Sequence, residues 1–371
     1  MSKSLPSSRF VAIIVASLML LGGIEPIAAA QQGAIVYPIG TPNSGTPSGM
    51  ALPGPDALPG YVEKYSTDFV GSALPEGWVA FSGVPGSDPG AQFGLSHAVV
   101  GGGMLSLNAW RDPAYGGEWV TGGVCQCSAP VTYGAFFVRS RLTGPGPTQV
   151  EILWPVSGWP PEIDFTETVG GVSSTMATLH YTAANLEIHN ALNINMTQWH
   201  TFGVVWTPTS VTYVVDGRAW GSVRVAAAIP SQPLTLHLQQ QTWCSGSRAC
   251  PTSNQSTQVD WVAEYVAAGR QTAKVSGFSR GHSSLTSPLR RRIDAIAHTI
   301  AASSGTQVAI VGYGDVGTLP VLGARLGTAR AHAVAAELRR RLRALGAIAT
   351  IAANGLPGAA TSSPQVRIIY L

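Results

Sequence analysis

Between residues 61 and 267, short apolar segments alternate with turns, and few stretches repeat at the spacing of a helix. Residues 119–124, 135–141, 149–154, 200–206, 211–215, 234–239 and 259–266 each read as a strand. The turns between them draw on a chain with 43 glycines and 26 prolines. Strands this short and regular suit a mainly β architecture, a jelly-roll sandwich of two packed sheets with one concave face. At 371 residues and 45% hydrophobic content, the chain buries a large core and has room for about two domains.

One of these segments is unusual. Glu162-Ile163-Asp164-Phe165-Thr166-Glu167 sets three carboxylates within six residues, in a chain where charged residues are only 11%. Strand side chains alternate, so Glu162 and Asp164 share a face and Glu167 points away from it. One extra residue in a β-bulge returns Glu167 to their side. Two carboxyls held about 5 Å apart on one surface are what retaining glycoside hydrolysis requires. Pro160-Pro161 before the strand and Gly170-Gly171 after it mark its ends. Trp154 and Trp159 lie just upstream and offer flat faces to sugar rings.

The acidic motif resembles the E-x-D-x-x-E signature of family 16 glycoside hydrolases, in the bulged form of laminarinases. Three further segments are similar to that family in the expected order: Tyr133-Gly134-Ala135-Phe136-Phe137-Val138-Arg139, Trp199-His200-Thr201-Phe202-Gly203-Val204-Val205-Trp206-Thr207-Pro208 with the hairpin Val214-Val215-Asp216-Gly217-Arg218, and Val259-Asp260-Trp261-Val262-Ala263-Glu264-Tyr265. The resemblance spans residues 61–267 and implies a concanavalin A-like jelly roll. It also implies a retaining endo-β-glycosidase acting on β-1,3- or mixed β-1,3/1,4-glucan. In that reading Glu162 is the nucleophile, Glu167 the general acid and then base, and Asp164 a hydrogen-bonding neighbour of the nucleophile. His180 matches a family position near the cleft, although a histidine on a strand reads equally well as structural. Trp154, Trp159, Trp206 and Trp243 are candidate sugar platforms, and Gln239 and Gln241 alternate on a late strand as candidate donors to hydroxyls. No cofactor is required. The resemblance allows a structural calcium, with Asp260 its one candidate ligand.

The same carboxylates would serve a galactan hydrolase or a transglycosylase, and a silent glycan-binding or cell-wall protein is the alternative outside enzymes. The first 30 residues carry Lys3 and Arg9, an apolar run over 10–24, and Ala28-Ala29-Ala30 before Gln31. That order reads as a secretory signal peptide, and the run is shorter than the roughly 20 residues that span a bilayer. Residues 31–60 are rich in Gly, Pro and Ser and read as a flexible linker. Export permits disulfides among Cys125, Cys127, Cys244 and Cys250, which allow three pairings. Cys244–Cys250 closes a short polar loop. A Cys125–Cys127 bond would be strained, so crossed pairing stays open.

Beyond residue 270 the charge reverses. Residues 274–371 hold 12 Lys or Arg against 3 Asp or Glu, while the rest of the chain is acidic overall. Leu289, Ile293, Ile296 and Ile300 recur at helical spacing after Pro288. Residues 307–313 read as a buried strand, 326–345 as a second helix stopped by Gly346, and Val366, Ile368 and Tyr370 as a last strand. This small α/β domain resembles the outer-membrane-protein-A-like peptidoglycan-binding domain at Gly312-Tyr313-Gly314-Asp315 and Leu326-Gly327-Thr328-Ala329-Arg330-Ala331. By that resemblance Asp315 and Arg330 grip a diaminopimelate residue of the wall peptide. The sequence departs from the family at Gly323 and Gly327 and lacks its closing asparagine-arginine-arginine. The clusters Arg290-Arg291-Arg292 and Arg339-Arg340-Arg341 read as solvated helix faces with an affinity for anionic wall polymers. A secreted or wall-associated monomer with a polysaccharide substrate and no nucleic acid partner is the expectation.

Overall fold

The computed structural model describes residues 36–85, 90–244, 250–269, 271–302, 307–347, 349–356 and 364–370. The expected signal peptide lies outside the described residues. Among the described residues, no helix is long and apolar enough to cross a membrane.

Two antiparallel sheets carry the sandwich. The first runs β13 (Glu187–Asn193), β12 (Ser174–His180), β11 (Glu162–Glu167), β10 (Val150–Pro155), β17 (Leu234–Gln239), β8 (Gly123–Cys125) and β4 (Val79–Ala80). The second runs β16 (Arg218–Val223), β15 (Val211–Val215), β14 (His200–Trp206), β9 (Gly134–Leu142), β18 (Gln255–Ala267), β6 (Met104–Asp112) and β5 (Ala98–Gly101). On this second sheet β3 (Tyr61–Thr67) also pairs with β18, and β7 (Glu118–Val120) with β6. Period-two alternation sends Leu153, Ile163, Phe165, Leu179, Leu236 and Leu238 of the first sheet inward. They meet Phe136, Val138, Phe202, Val204, Val259 and Val262 of the second.

The outer face of the second sheet is apolar as well, through Ala135, Phe137, Val205, Val214, Trp261 and Tyr265. A sheet with two apolar faces needs cover on both. The segment 36–60 supplies it, and this corrects the expectation of a flexible linker. β1 (Thr41–Pro42) pairs with β2 (Met50–Ala51), and Leu58 is buried among the outer residues. Trp261 Nε1 donates to Met50 O at 2.9 Å and Tyr265 OH to Gly54 O at 3.0 Å. The Gly and Pro content of this segment bends it across the sheet.

The tail forms a four-stranded sheet, β19 (Gln271–Ser276), β22 (Gln365–Tyr370), β20 (Gln307–Tyr313) and β21 (Thr350–Leu356), with β20 and β21 parallel. Helices α1 (Ser287–Ala302) and α2 (Pro320–Ala344) pack on it through Leu289, Ile293, Ile296, Ile300, Val334 and Leu338. The expected helices and strands are present. α2 starts six residues before the expected 326, and β19 begins the tail at 271. The tail is also not separate from the sandwich, because Ala309 and Ile369 pack into the sandwich core. The arginine clusters do more than face solvent. Arg290 of α1 meets Glu337 of α2 at 2.8 Å, and Arg341 of α2 meets Asp294 of α1 at 2.7 Å. Arg340, bonded to Glu337, is foremost in holding that carboxyl down to about 2.

Cys125 pairs with Cys127 and Cys244 with Cys250, so the crossed alternatives are excluded. The Cα atoms of Cys125 and Cys127 lie 5.1 Å apart where the chain leaves β8, within the ordinary span of a disulfide.

Because Leu58 is only 2% exposed, Leu58→Ala is expected to destabilise the sandwich by about 2–5 kcal/mol. Urea unfolding followed by tryptophan fluorescence measures this, and a change near zero would restore the linker reading.

Candidate active site

The acidic strand acquires its geometry from one slip in pairing. Across β10 and β11, Ile152 faces Asp164 and Glu151 faces Thr166, so Phe165 is the extra residue. The pairing with β12 slips at the same place, from Asp164 opposite Thr178 to Glu167 opposite Met176. Phe165 and Thr166 are both fully buried, and alternation resumes one step late. Glu162, Asp164 and Glu167 therefore line one cleft of about 690 Å³, as the bulge expectation required.

Each carboxylate has a distinct setting. Glu162 Oε2 accepts a hydrogen bond from Trp159 Nε1 at 2.7 Å. Asp164 is buried and pairs with His180 Nε2 at 3.2 Å, so its partner is this imidazole and not the expected nucleophile. Burial, and next the charge of Glu162, raise the Asp164 pKa. Burial and Glu162 also push Glu167 up, against the lowering charge of His180.

His180 sits directly opposite Glu162 on β12. Its Nε2 faces Asp164, while Nδ1 faces Asn185 Oδ1 at 2.6 Å and Glu187 Oε2 at 3.3 Å. With acceptors at both nitrogens, the ring donates from both and carries a positive charge. Burial opposes that charge, but the bond to Asp164 and its charge, with Asn185 and Glu162, together outweigh it and raise the pKa to about 9. Beyond Glu167 a second depression of about 250 Å³ continues past Trp243, with Glu187 and His189 in its wall. Glu187 Oε1 and His189 Nε2 are 2.9 Å apart.

Trp154, Trp159, Gln239, Gln241 and Trp243 line the main cleft as expected. Trp206 does not. It is fully buried between the sheets, its indole donates to Pro230 O at 3.0 Å, and its ring meets Tyr133 edge-on. Position 206 falls on the inward face of β14, with Phe202 and Val204. Sequence reasoning missed Phe81, Phe93, Asn185 and His237. The alternation that selected Gln239 and Gln241 places His237 on the same face, so that signal was present. Burial holds its imidazole neutral, with a pKa lowered to about 4. Phe81 and Phe93 reach the cleft from segments outside β4 and β5, where no pattern marked them.

Residues 91–263 match the model of glycosyl hydrolases family 16. The matched stretch lies within the sandwich. Its fold is similar to the laminarinase from Rhodothermus marinus, at 22% identity and TM-score 0.51, covering 56% of this chain and 98% of that one. It is also similar to the catalytic domain of an endo-1,3-beta-glucanase (laminarinase) from Thermotoga petrophila RKU-1, at 18% identity and TM-score 0.50, covering 56% and 99%. A non-specific endo-beta-1,3(4)-glucanase from family 16, co-crystallized with 1,3-beta-D-cellobiosyl-cellobiose, matches at 20% identity and TM-score 0.51, covering 58% and 97%. A search of curated proteins returned no match.

Asp260 and the pair Asp315 and Arg330 have partners within the chain itself. The Asp260 Oδ2 accepts the Ser48 amide at 3.0 Å, and burial raises the carboxyl's pKa against the bonds from Ser48 and the charge of Arg139. In the tail, Asp315 and Arg330 are buried and paired with each other at 2.7 Å, so they do not stand open to a wall peptide. Arg330 also donates to the carbonyls of Ser279, His282 and Tyr313, and Asp315 Oδ2 accepts the Gly281 amide. The chain's own segment 279–282 takes up the donors that a ligand would need.

The His180 charge favours the ionised form of Glu167, and its removal withdraws that support. In His180→Gln the Glu167 carboxyl should therefore titrate at higher pH than in the wild type. Carbon-13 NMR of the glutamate carboxyls, assigned with Glu167→Gln, reads this directly. A downward or absent shift would refute the assigned coupling.

Proposed function

We propose that this protein is a secreted retaining endo-β-glycosidase that cleaves β-1,3- or mixed β-1,3/1,4-glucan through a covalent glycosyl-enzyme. The observation that carries the reading is the bulge that sets Glu162, Asp164 and Glu167 on one wall of a cleft flanked by Trp154 and Trp159. The substrate class rests on the laminarinases and the endo-beta-1,3(4)-glucanase whose fold the sandwich shares.

In this mechanism the Glu162 carboxylate attacks the anomeric carbon, and Glu167 gives its proton to the departing glycosidic oxygen. The raised pKa of Glu167 keeps that proton in place at higher pH. An ester now joins Glu162 to the sugar. Glu167, as a carboxylate, takes a proton from water, the hydroxide attacks the anomeric carbon, and Glu162 leaves with its electrons. Two inversions give retention. Asp164 and the His180 cation lie beside both glutamates and balance charge while they exchange roles.

Export is supported by the charged, apolar and small-residue order of the first 30 residues. Retention at a wall rests on the basic tail. With Asp315 and Arg330 closed on each other, that retention is diffuse attraction between exposed arginines and anionic polymer.

Glu162→Gln is expected to lower turnover on laminarin or mixed-linkage glucan by at least about a thousandfold with the fold intact. Glu167→Ala should spare aryl glycosides with good leaving groups and regain turnover with azide. A reducing-end assay over glucans and galactans measures this. Full activity in Glu162→Gln would overturn the roles, and turnover on galactan alone would overturn the substrate. For the tail, sedimentation of the full chain with purified sacculi should fall away as salt shortens the Debye length from about 10 Å towards 3 Å. Binding that survives high salt would require a specific wall ligand instead.

A further inference from the structure

Directly beneath the bulge the inter-sheet core is polar, although the space between two sheets of a sandwich is ordinarily apolar. Glu151 of β10 points into it and is 1% exposed. It stands opposite Thr166, one residue from Glu167, at the place where the register of β10 and β11 slips. Ser140 of β9, on the facing sheet, donates to Glu151 Oε1 at 2.5 Å. Gln149 Nε2 donates to the same oxygen and to Ser140 Oγ, each at 2.9 Å. Gln149 also exchanges two bonds with Thr168, just after the acidic strand.

Burying a carboxyl there costs free energy that a leucine of similar volume would not incur. The position also has a mechanical peculiarity. Phe165 has no partner on β10, so the path of β11 through the bulge depends on how firmly β10 is held beside it. We propose that Glu151 is a positioning residue: its inter-sheet bond to Ser140 locks β10 in the slipped register and so aims Glu167 into the cleft. The inference deepens the proposed glycosidase reading and rests on it for its catalytic consequence. Burial raises the Glu151 pKa to about 7, against the hydrogen bond from Ser140 and others that favour the charged form. A neutral acid can hold this place without an unpaired charge in the core.

The position of the bulge has a reporter that does not involve turnover. The Glu167 amide donates to Thr175 Oγ1 at 3.1 Å, so its hydrogen exchange follows the geometry there. The experiment compares wild type, Glu151→Gln, Glu151→Leu and Ser140→Ala by two readouts. These are exchange of the Thr166 and Glu167 amides, and kcat with KM on a mixed-linkage glucan oligosaccharide. Glu151→Leu is expected to speed exchange at both amides and to lower kcat about tenfold to a hundredfold, with KM within about twofold. Glu151→Gln, which keeps an acceptor for Ser140, should restore both. If Glu151→Leu does not fold, Ser140→Ala carries the same test, since it removes the inter-sheet donor and leaves the carboxyl. Wild-type exchange and wild-type kcat in the folded leucine or alanine variant would overturn the proposal. A wild type inactive on every glycan would remove the glycosidase reading, while the exchange comparison would still decide whether Glu151 holds the bulge.

Discussion

A one-residue mismatch in pairing between β10 and β11 governs the whole arrangement. A regular strand places side chains at even offsets on one face, and Glu162 and Glu167 are five positions apart. Only the insertion of Phe165 reconciles that offset with a shared cleft. The extra side chain has to go somewhere, and it enters the inter-sheet core. The core beneath the cleft is thus adapted to the bulge, with the polar group around Glu151 beside the buried phenyl ring.

Three acids on one wall also create an electrostatic problem. Like charges in a partly buried cleft repel, and burial penalises each of them. The structure answers with local partners. The Trp159 indole donates to Glu162, and His180, positive between Asp164 and Glu187, places a cation among the carboxylates. Among the described residues Glu167 has no comparable side-chain hydrogen-bond partner, and burial with the charge of Glu162 raises its pKa. A glutamate that holds its proton to higher pH is what the acid role requires.

The same demand for partners shapes the rest of the chain. The second sheet has two apolar faces, and the 36–60 segment covers the outer one. In the tail, Arg330 is fully buried, so its donors turn to backbone carbonyls and to Asp315. A buried guanidinium without them would be costly, and meeting that cost closes the pair to outside ligands.

The sequence alone determined the strand pattern, the change of domain near residue 270, and the acidic motif with its need for a bulge. These rest on local periodicity, which survives in any one-dimensional reading. Alternation also marked Gln239 and Gln241, and should have marked His237. What it could not decide was which apolar face meets which. Trp206 and Trp154 are both tryptophans on strands, yet one is core and one is cleft, because the facing sheet covers only one of them. The same holds for Asp315 and Arg330, whose motif was legible but whose mutual burial depends on segment 279–282 folding back over them. Partners distant in sequence are chosen by packing, and packing exists only in three dimensions.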